Sequence, residues 1–155
     1  MKWILSTVLG LGMAFSCPLS AFAKRCELKG TQSGTMALVT GNGSRLSSRS
    51  DQSPTARLAS ITLTCTGGMQ LIINPPIARP STPSTGTRGI QVWNGSSLSQ
   101  GTQLILVTDS QQSILLPGPF TDRIISFDLY ADSAPGRLLT PGNYTYDFHL
   151  LLTPQ

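Results

Sequence analysis

Ser60-Ile61-Thr62-Leu63-Thr64-Cys65 alternates apolar and polar residues without a break. A period of two places Ile61, Leu63 and Cys65 on one face and Thr62 and Thr64 on the other, the pattern of a half-buried strand whose cysteine points inward. Thr66-Gly67-Gly68 supplies a turn, Leu71 and Ile73 resume the alternation, and Pro75-Pro76 ends it. The same period returns further on. Ile125, Phe127 and Leu129 alternate with Ser126, Asp128 and Tyr130. The longest run is the last, where Tyr144, Tyr146, Phe148, Leu150 and Leu152 alternate with Thr145, Asp147, His149, Leu151 and Thr153.

Between these runs the signals are shorter. Gly89 to Trp93 carries Ile90 and Val92 on one face. Gln103 to Thr108 and Ser113 to Leu116 read as a strand pair joined by the polar turn Asp109 to Gln112. Thr35 to Thr40 reads as a weaker strand, with Met36 and Leu38 facing one way. Gly41 to Pro54 reads as a long polar loop, and Arg79 to Thr87 as an exposed, mobile one. No stretch has a helical period and no unit repeats. Six to eight short strands separated by turn signals predict an all-β fold, a two-sheet sandwich.

Composition agrees. The chain has 155 residues with 15 Gly and 11 Pro, and only 12% of residues are charged, against about 25% in an average domain. Low charge and abundant turn formers suit strands and disfavour coiled coils and charge-driven disorder. One His and a single Glu leave little material for acid–base chemistry, so a non-enzymatic role without cofactors is expected.

Residues 1–23 carry the marks of an export signal. Lys2 precedes the apolar run Trp3 to Phe15, Pro18 breaks it, and Ala21-Phe22-Ala23 offers the small residues a signal peptidase reads. About 13 apolar residues at 1.5 Å each fall short of a bilayer core of about 30 Å. Cleavage after Ala23 leaves a domain over residues 24–155 that begins Lys24-Arg25-Cys26. Export implies an oxidising compartment, and losing the leader removes Cys17, so Cys26 and Cys65 are expected to form one disulfide. A metal site is the rival reading, and two isolated cysteines with one distant histidine do not make a tetrahedral set.

Individual reactive residues point nowhere in particular. His149 lies opposite Phe148 and Leu150, with no partner nearby in sequence. Asp128 and Asp132 read as surface acids beside a turn. Residues 24–88 hold eight Lys and Arg against Glu27 and Asp51, whereas residues 89–155 hold two Arg against five Asp. Such a basic half suits a solvated loop around Arg45, Arg49 and Arg57, or contact with anionic glycans or headgroups. Trp93, beside a turn, is the best candidate for an exposed aromatic contact, and equally a residue that closes the end of the core. Nucleic acid is not expected, because no basic stripe with interleaved aromatics is present.

Three segments in order carry a family resemblance. Cys26 pairs with the Cys65 that closes Ile-Thr-Leu-Thr-Cys-Thr-Gly-Gly. Ser126-Phe127-Asp128-Leu129-Tyr130-Ala131-Asp132 is similar to the Tyr-x-Leu-Tyr-x-Asp segment of spore coat U and Csu-type pilins, and Pro141-Gly142-Asn143-Tyr144-Thr145 resembles their Pro-Gly-x-Tyr ending. The chain thus resembles a subunit of chaperone–usher fimbriae over most of residues 24–155, loosely over 79–120. The resemblance implies an incomplete immunoglobulin-like β-sandwich lacking its last strand. It implies a groove along Tyr144, Tyr146, Phe148, Leu150 and Leu152 that a periplasmic chaperone and then a neighbouring subunit fill with a strand, the chaperone also gripping the carboxylate of Gln155. Assembly would pass through an outer-membrane usher to the cell surface. Polymerising pilins of this group carry a donor segment before the first cysteine, and only Lys24 and Arg25 follow the expected cleavage site. A tip or minor subunit is therefore expected, with any glycan contact at the loops around Trp93, Arg45 and Arg49. The alternative is a free-standing secreted β-sandwich that binds surface glycans.

Overall fold

The structure, a computed structural model, describes residues 24–96 and 101–155. The expected leader over residues 1–23 lies outside the described residues. Every regular element described is a strand: β1 Cys26–Gln32, β2 Ala37–Val39, β3 Asn42–Ser47, β4 Ala59–Cys65, β5 Met69–Ile73, β6 Ile77–Ala78, β7 Arg88–Asn94, β8 Thr102–Val107, β9 Gln112–Leu116, β10 Phe120–Asp132, β11 Tyr146–Asp147 and β12 Leu150–Pro154. The expected all-β class is found.

The 13-residue β10 is the spine of the larger sheet. One edge of it pairs first with β4 and then with β3, and the opposite edge pairs with β7. Beyond these neighbours lie β1 against β4, β2 against β3 and β8 against β7, all antiparallel. A second sheet runs β12-β5-β9, and β11 pairs with β6 in a short ribbon. The chain changes sheet at Thr66-Gly67-Gly68, because β4 belongs to the larger sheet and β5 to the smaller.

The alternation read from the sequence is what the two sheets bury. Ile61, Leu63 and Cys65 from β4 and Ile125 and Phe127 from β10 meet Met69, Leu71 and Ile73 from β5 in one buried cluster, joined by Ile90, Val92, Val107 and Leu116. Close packing of two inner faces at period two is what holds stacked sheets together. Cys26 and Cys65 face each other in register and are disulfide-bonded. Beside them Thr66 N–H donates to the Arg25 carbonyl, and Arg25 N–H donates to the Thr66 hydroxyl.

Four details differ from the sequence reading. Residues 103–108 and 113–116 do not pair with each other: β8 joins β7 in the larger sheet and β9 joins β5 in the smaller. The polar turn between them is a corner between sheets, which a local pattern does not separate from a hairpin. The supposed loop 41–54 contains β3, held by pairing with β10, with Leu46 and Ser47 buried. The first weak strand is only the three residues of β2, and Leu38 is exposed there. The long terminal run is divided into β11 and β12, which pair with different partners, and the intervening His149 carbonyl accepts the Asn74 N–H.

Candidate functional site

The two sheets share no ladder among the described residues, and on the side of β1 and β12 inward-facing side chains are left uncovered. Among the described residues β1 pairs only with β4, and β12 only with β5, so the two edges face each other without a ladder between them. Leu28 stands directly opposite Leu63 and so points to the same inner face. Leu63 is fully buried, whereas Leu28 remains 49% exposed. On the facing edge, Phe148, Leu150 and Leu152 pack against the core but stay only half-buried. An inward side chain left in water on both edges means that a layer of core is uncovered.

The opening deepens toward the end far from the disulfide. A cleft of about 440 Å³ runs there over Ile61, Ala59 and Phe127, walled by Thr31 to Gly34 on one side and by Phe148 and Leu150 on the other. A second hollow of about 270 Å³ continues from it past Met36, Leu129, Tyr144 and Tyr146. The Phe127 and Phe148 rings meet at 5.2 Å between centroids, so the floor and the wall of the cleft touch across the two sheets. Gly34 sets the closeness of the far wall: a Cβ there would lie 2.7 Å from the Ala59 nitrogen. At the mouth, Arg79 donates two hydrogen bonds to the Asp147 carboxylate, at 2.8 and 2.9 Å. The arginine holds that carboxyl below its ordinary range.

Of the groove residues expected from sequence, Tyr144, Tyr146, Phe148 and Leu150 line this continuous space. Leu152 packs on the core further along β12, and Gln155 lies beyond it, its N–H donating to the Gly68 carbonyl. The floor of the cleft is not legible in the sequence. Phe127 was placed on an inner face by its alternation, but nothing local distinguishes a core residue under a neighbouring strand from one under an opening. The small pair Gly34 and Ala59 carried no signal at all.

The remaining candidates are spread over the outer surface. His149 is exposed beside the exposed Leu151. Of the two readings of Trp93, its half-burial fits the one that closes the core, with the indole nitrogen enclosed and lacking a hydrogen-bond partner among the described residues. Arg45 pairs with Asp132 at 3.0 Å and stacks on the Tyr130 ring, and Arg49 makes a bidentate contact with Asp51. Both arginines are therefore engaged inside the domain. Asp132 is the partly exposed acid foreseen, but Asp128 is not: it is 2% exposed, under the segment that follows β3. Ser47 and Ser48 hydroxyls both donate to its Oδ1 at 3.1 Å.

Burial pushes the Asp128 carboxyl above its ordinary range, against the pull of the two hydroxyls and the Arg49 guanidinium. A carboxyl whose folded pKa exceeds its unfolded value binds its proton more tightly when folded. Its contribution to stability therefore rises as pH falls through the folded pKa, and is complete below the unfolded one. Asp128→Asn removes the buried charge and keeps an acceptor for the hydroxyls. The variant is expected to unfold at higher urea than the parent at pH 7, and the difference to vanish below about pH 3.9, the ordinary carboxylate value. An equal or lower midpoint for the variant at pH 7 refutes this account of the site.

Comparison with protein-family models, curated proteins and solved structures yields no match for this chain.

Proposed function

We propose that this protein is the strand-accepting subunit of a surface fimbria assembled by the chaperone–usher route, its open core completed by a strand from another polypeptide. The observation that carries the reading is the pair of uncovered inner edges: Leu28 on β1, 49% exposed opposite the buried Leu63, and Phe148 and Leu150 at the facing terminal segment, which wall the cleft over Phe127. An extended segment with apolar residues at alternate positions fits such an opening, because its backbone can pair with exposed strand edges while its side chains fill the cleft. The resemblance of the 126–132 and 141–145 segments to spore coat U and Csu-type pilins supplies the identity of the donors. They are a periplasmic chaperone first and a neighbouring subunit afterwards, delivered through an outer-membrane usher. Adhesion and biofilm formation are the roles such fibres serve.

The test is periplasmic expression of the full chain with and without the pilus chaperone of its own genome. The expected result is loss of the chain when it is alone and recovery as a one-to-one complex with the chaperone. A stable monomer that ignores the chaperone overturns the reading and leaves a free-standing secreted sandwich. Placement at the fibre tip rests on cleavage after Ala23, which N-terminal sequencing of the exported chain checks. Lys24 as first residue supports the tip, and a start upstream of Ala14 leaves a donor-length segment and refutes it.

A further inference from the structure

Two of the four asparagines are followed by glycine, in the identical triplets Asn42-Gly43-Ser44 and Asn94-Gly95-Ser96. An asparagine before glycine can close a ring, because no Cβ obstructs the approach of the glycine nitrogen to the side-chain amide carbon. Pro75 after Asn74 has no N–H to give up, and Tyr144 after Asn143 restores the obstruction. Local sequence makes the two glycine triplets equal, and the fold separates them.

Asn42 is the exposed first residue of β3, where the Val39–Asn42 pair closes the hairpin around Thr40 and Gly41. Beyond that pair the β2 ladder resumes only at Leu38 and Leu46, so Gly43, Ser44 and Arg45 stand opposite no residue of β2. Ser44 N–H donates to Asn42 Oδ1 at 3.0 Å, and the Ser44 hydroxyl donates to the same oxygen at 2.6 Å. A side chain bonded to the backbone two residues on is bent over the intervening peptide, here the one whose nitrogen belongs to Gly43. Both donors also sit where negative charge gathers when that nitrogen attacks Cγ. Hydrogen bonds to an oxygen strengthen as it gains charge, which is how an oxyanion hole lowers a barrier.

Asn94 lacks this freedom. It is half-buried in β7, in register with Ile125 of β10 on one side and Thr102 of β8 on the other. Its Oδ1 accepts from Arg123 Nε at 2.8 Å, so its carbonyl is polarised as well. The nitrogen makes the difference: Gly95 N–H donates to the Ile124 carbonyl at 2.8 Å. Attack would need that bond broken and the end of β7 lifted from its neighbours.

We propose that Asn42 is a self-modifying site, deamidated through a succinimide, while Asn94 is protected. The Gly43 nitrogen gives its proton to hydroxide and bonds to Asn42 Cγ. The Cγ–Nδ2 bond breaks, and Nδ2 takes a proton from water and leaves as ammonia. Water then opens the ring at either carbonyl to give aspartate or isoaspartate, with no change of oxidation state. Each product puts a carboxylate where a neutral amide stood, and isoaspartate adds a carbon to the main chain at the closing pair of the hairpin.

Asn42 lines neither hollow of the strand-accepting cleft, so the test leaves that reading untouched. The purified full chain is held in warm, mildly alkaline buffer, and its peptides are followed by mass spectrometry with fragmentation that separates isoaspartate from aspartate. A parallel sample is unfolded in guanidinium with reductant. In the folded chain Asn42 is expected to convert about tenfold faster than Asn94 or more, the rate ratio of one well-made hydrogen bond. In the unfolded sample the two triplets are expected to react at closely similar rates. Gly43→Ala is a fair control, since a Cβ there meets only Leu138 Cδ2, at 3.1 Å, and that side chain is 75% exposed and free to give way. It is expected to slow the reaction at Asn42 about tenfold or more. Ser44→Ala, which removes the hydroxyl and keeps the N–H, is expected to slow it about fivefold. Equal rates at the two sites in the folded chain, faster reaction at Asn94, an unmodified Asn42 while the unfolded sample reacts, or an undiminished rate in either variant overturns the proposal.

Discussion

A variant extended beyond Gln155 by a short Gly/Ser turn and an alternating apolar strand is expected to melt about 10 °C above the parent chain, a net gain of a few kcal/mol for a domain of this size. The extension starts where β12 ends, beside the Gly67-Gly68 turn, and doubles back antiparallel along the free edge of β12 toward the cleft over Phe127. The competing terms set the design of the control. Each residue ordered costs about 1–2 kcal/mol of backbone entropy, and each large apolar side chain fully buried returns about 1.5–3 kcal/mol. An apolar residue at every second position offsets most of that entropy, and ladder hydrogen bonds of about 0.5–1.5 kcal/mol each, with the covering of Leu28, Phe148 and Leu150, carry the sum past zero. The same extension with Asn at the alternate positions lacks the burial that offsets this entropy, so it stays undocked and leaves melting unchanged. Equal melting temperatures for the two extensions would show that the edges need no partner, and the fimbrial reading would fall with them.

Replacing both Cys26 and Cys65 by Ala is expected to lower unfolding stability by about 4 kcal/mol. The two cysteines are 39 residues apart, and the loop-closure model with a loop of about that length gives this value at 25 °C. The bond also ties the edge strand β1 to the sheet at its first residue, where β1 has β4 as its only ladder among the described residues. Out of the about 5–15 kcal/mol of a small domain, that loss raises the unfolded population about a thousandfold, so the double variant should be cleaved by protease much faster than the parent at 37 °C. The checks are urea unfolding of the two proteins side by side and parent unfolding with and without reductant. A loss below about 1 kcal/mol, within the reach of an ordinary surface change, would mean that β1 is held by its ladder alone.

How much was legible differs from element to element. β4, β5 and β7 could be read because burial of one face writes a period of two into the residues themselves, and in the second half of β10 the inward Ile125 and Phe127 alternate with polar residues although Ser126 and Asp128 are buried as well. β3 was invisible since Asn42-Gly-Ser-Arg-Leu-Ser has a single large apolar residue, and its strand state comes from its ladder with β10. Asp128 was misread for a related reason. Alternation places it correctly on the outer face, but the segment that buries it arrives from more than 70 residues away, through Ser47 and Ser48.

The amino-acid pattern by itself therefore determined the all-β class, the inward faces of the principal strands and the pairing of Cys26 with Cys65, because each depends on local periodicity or on residue type. Which edges remain open was decided only by the tertiary structure. β8 and β9 part into different sheets, and β1 and β12 come to face each other across Phe127 with no strand between them among the described residues. Edge exposure is a property of what lies beside a strand, and the identity of a neighbour distant in sequence is not written in the alternation of the strand itself.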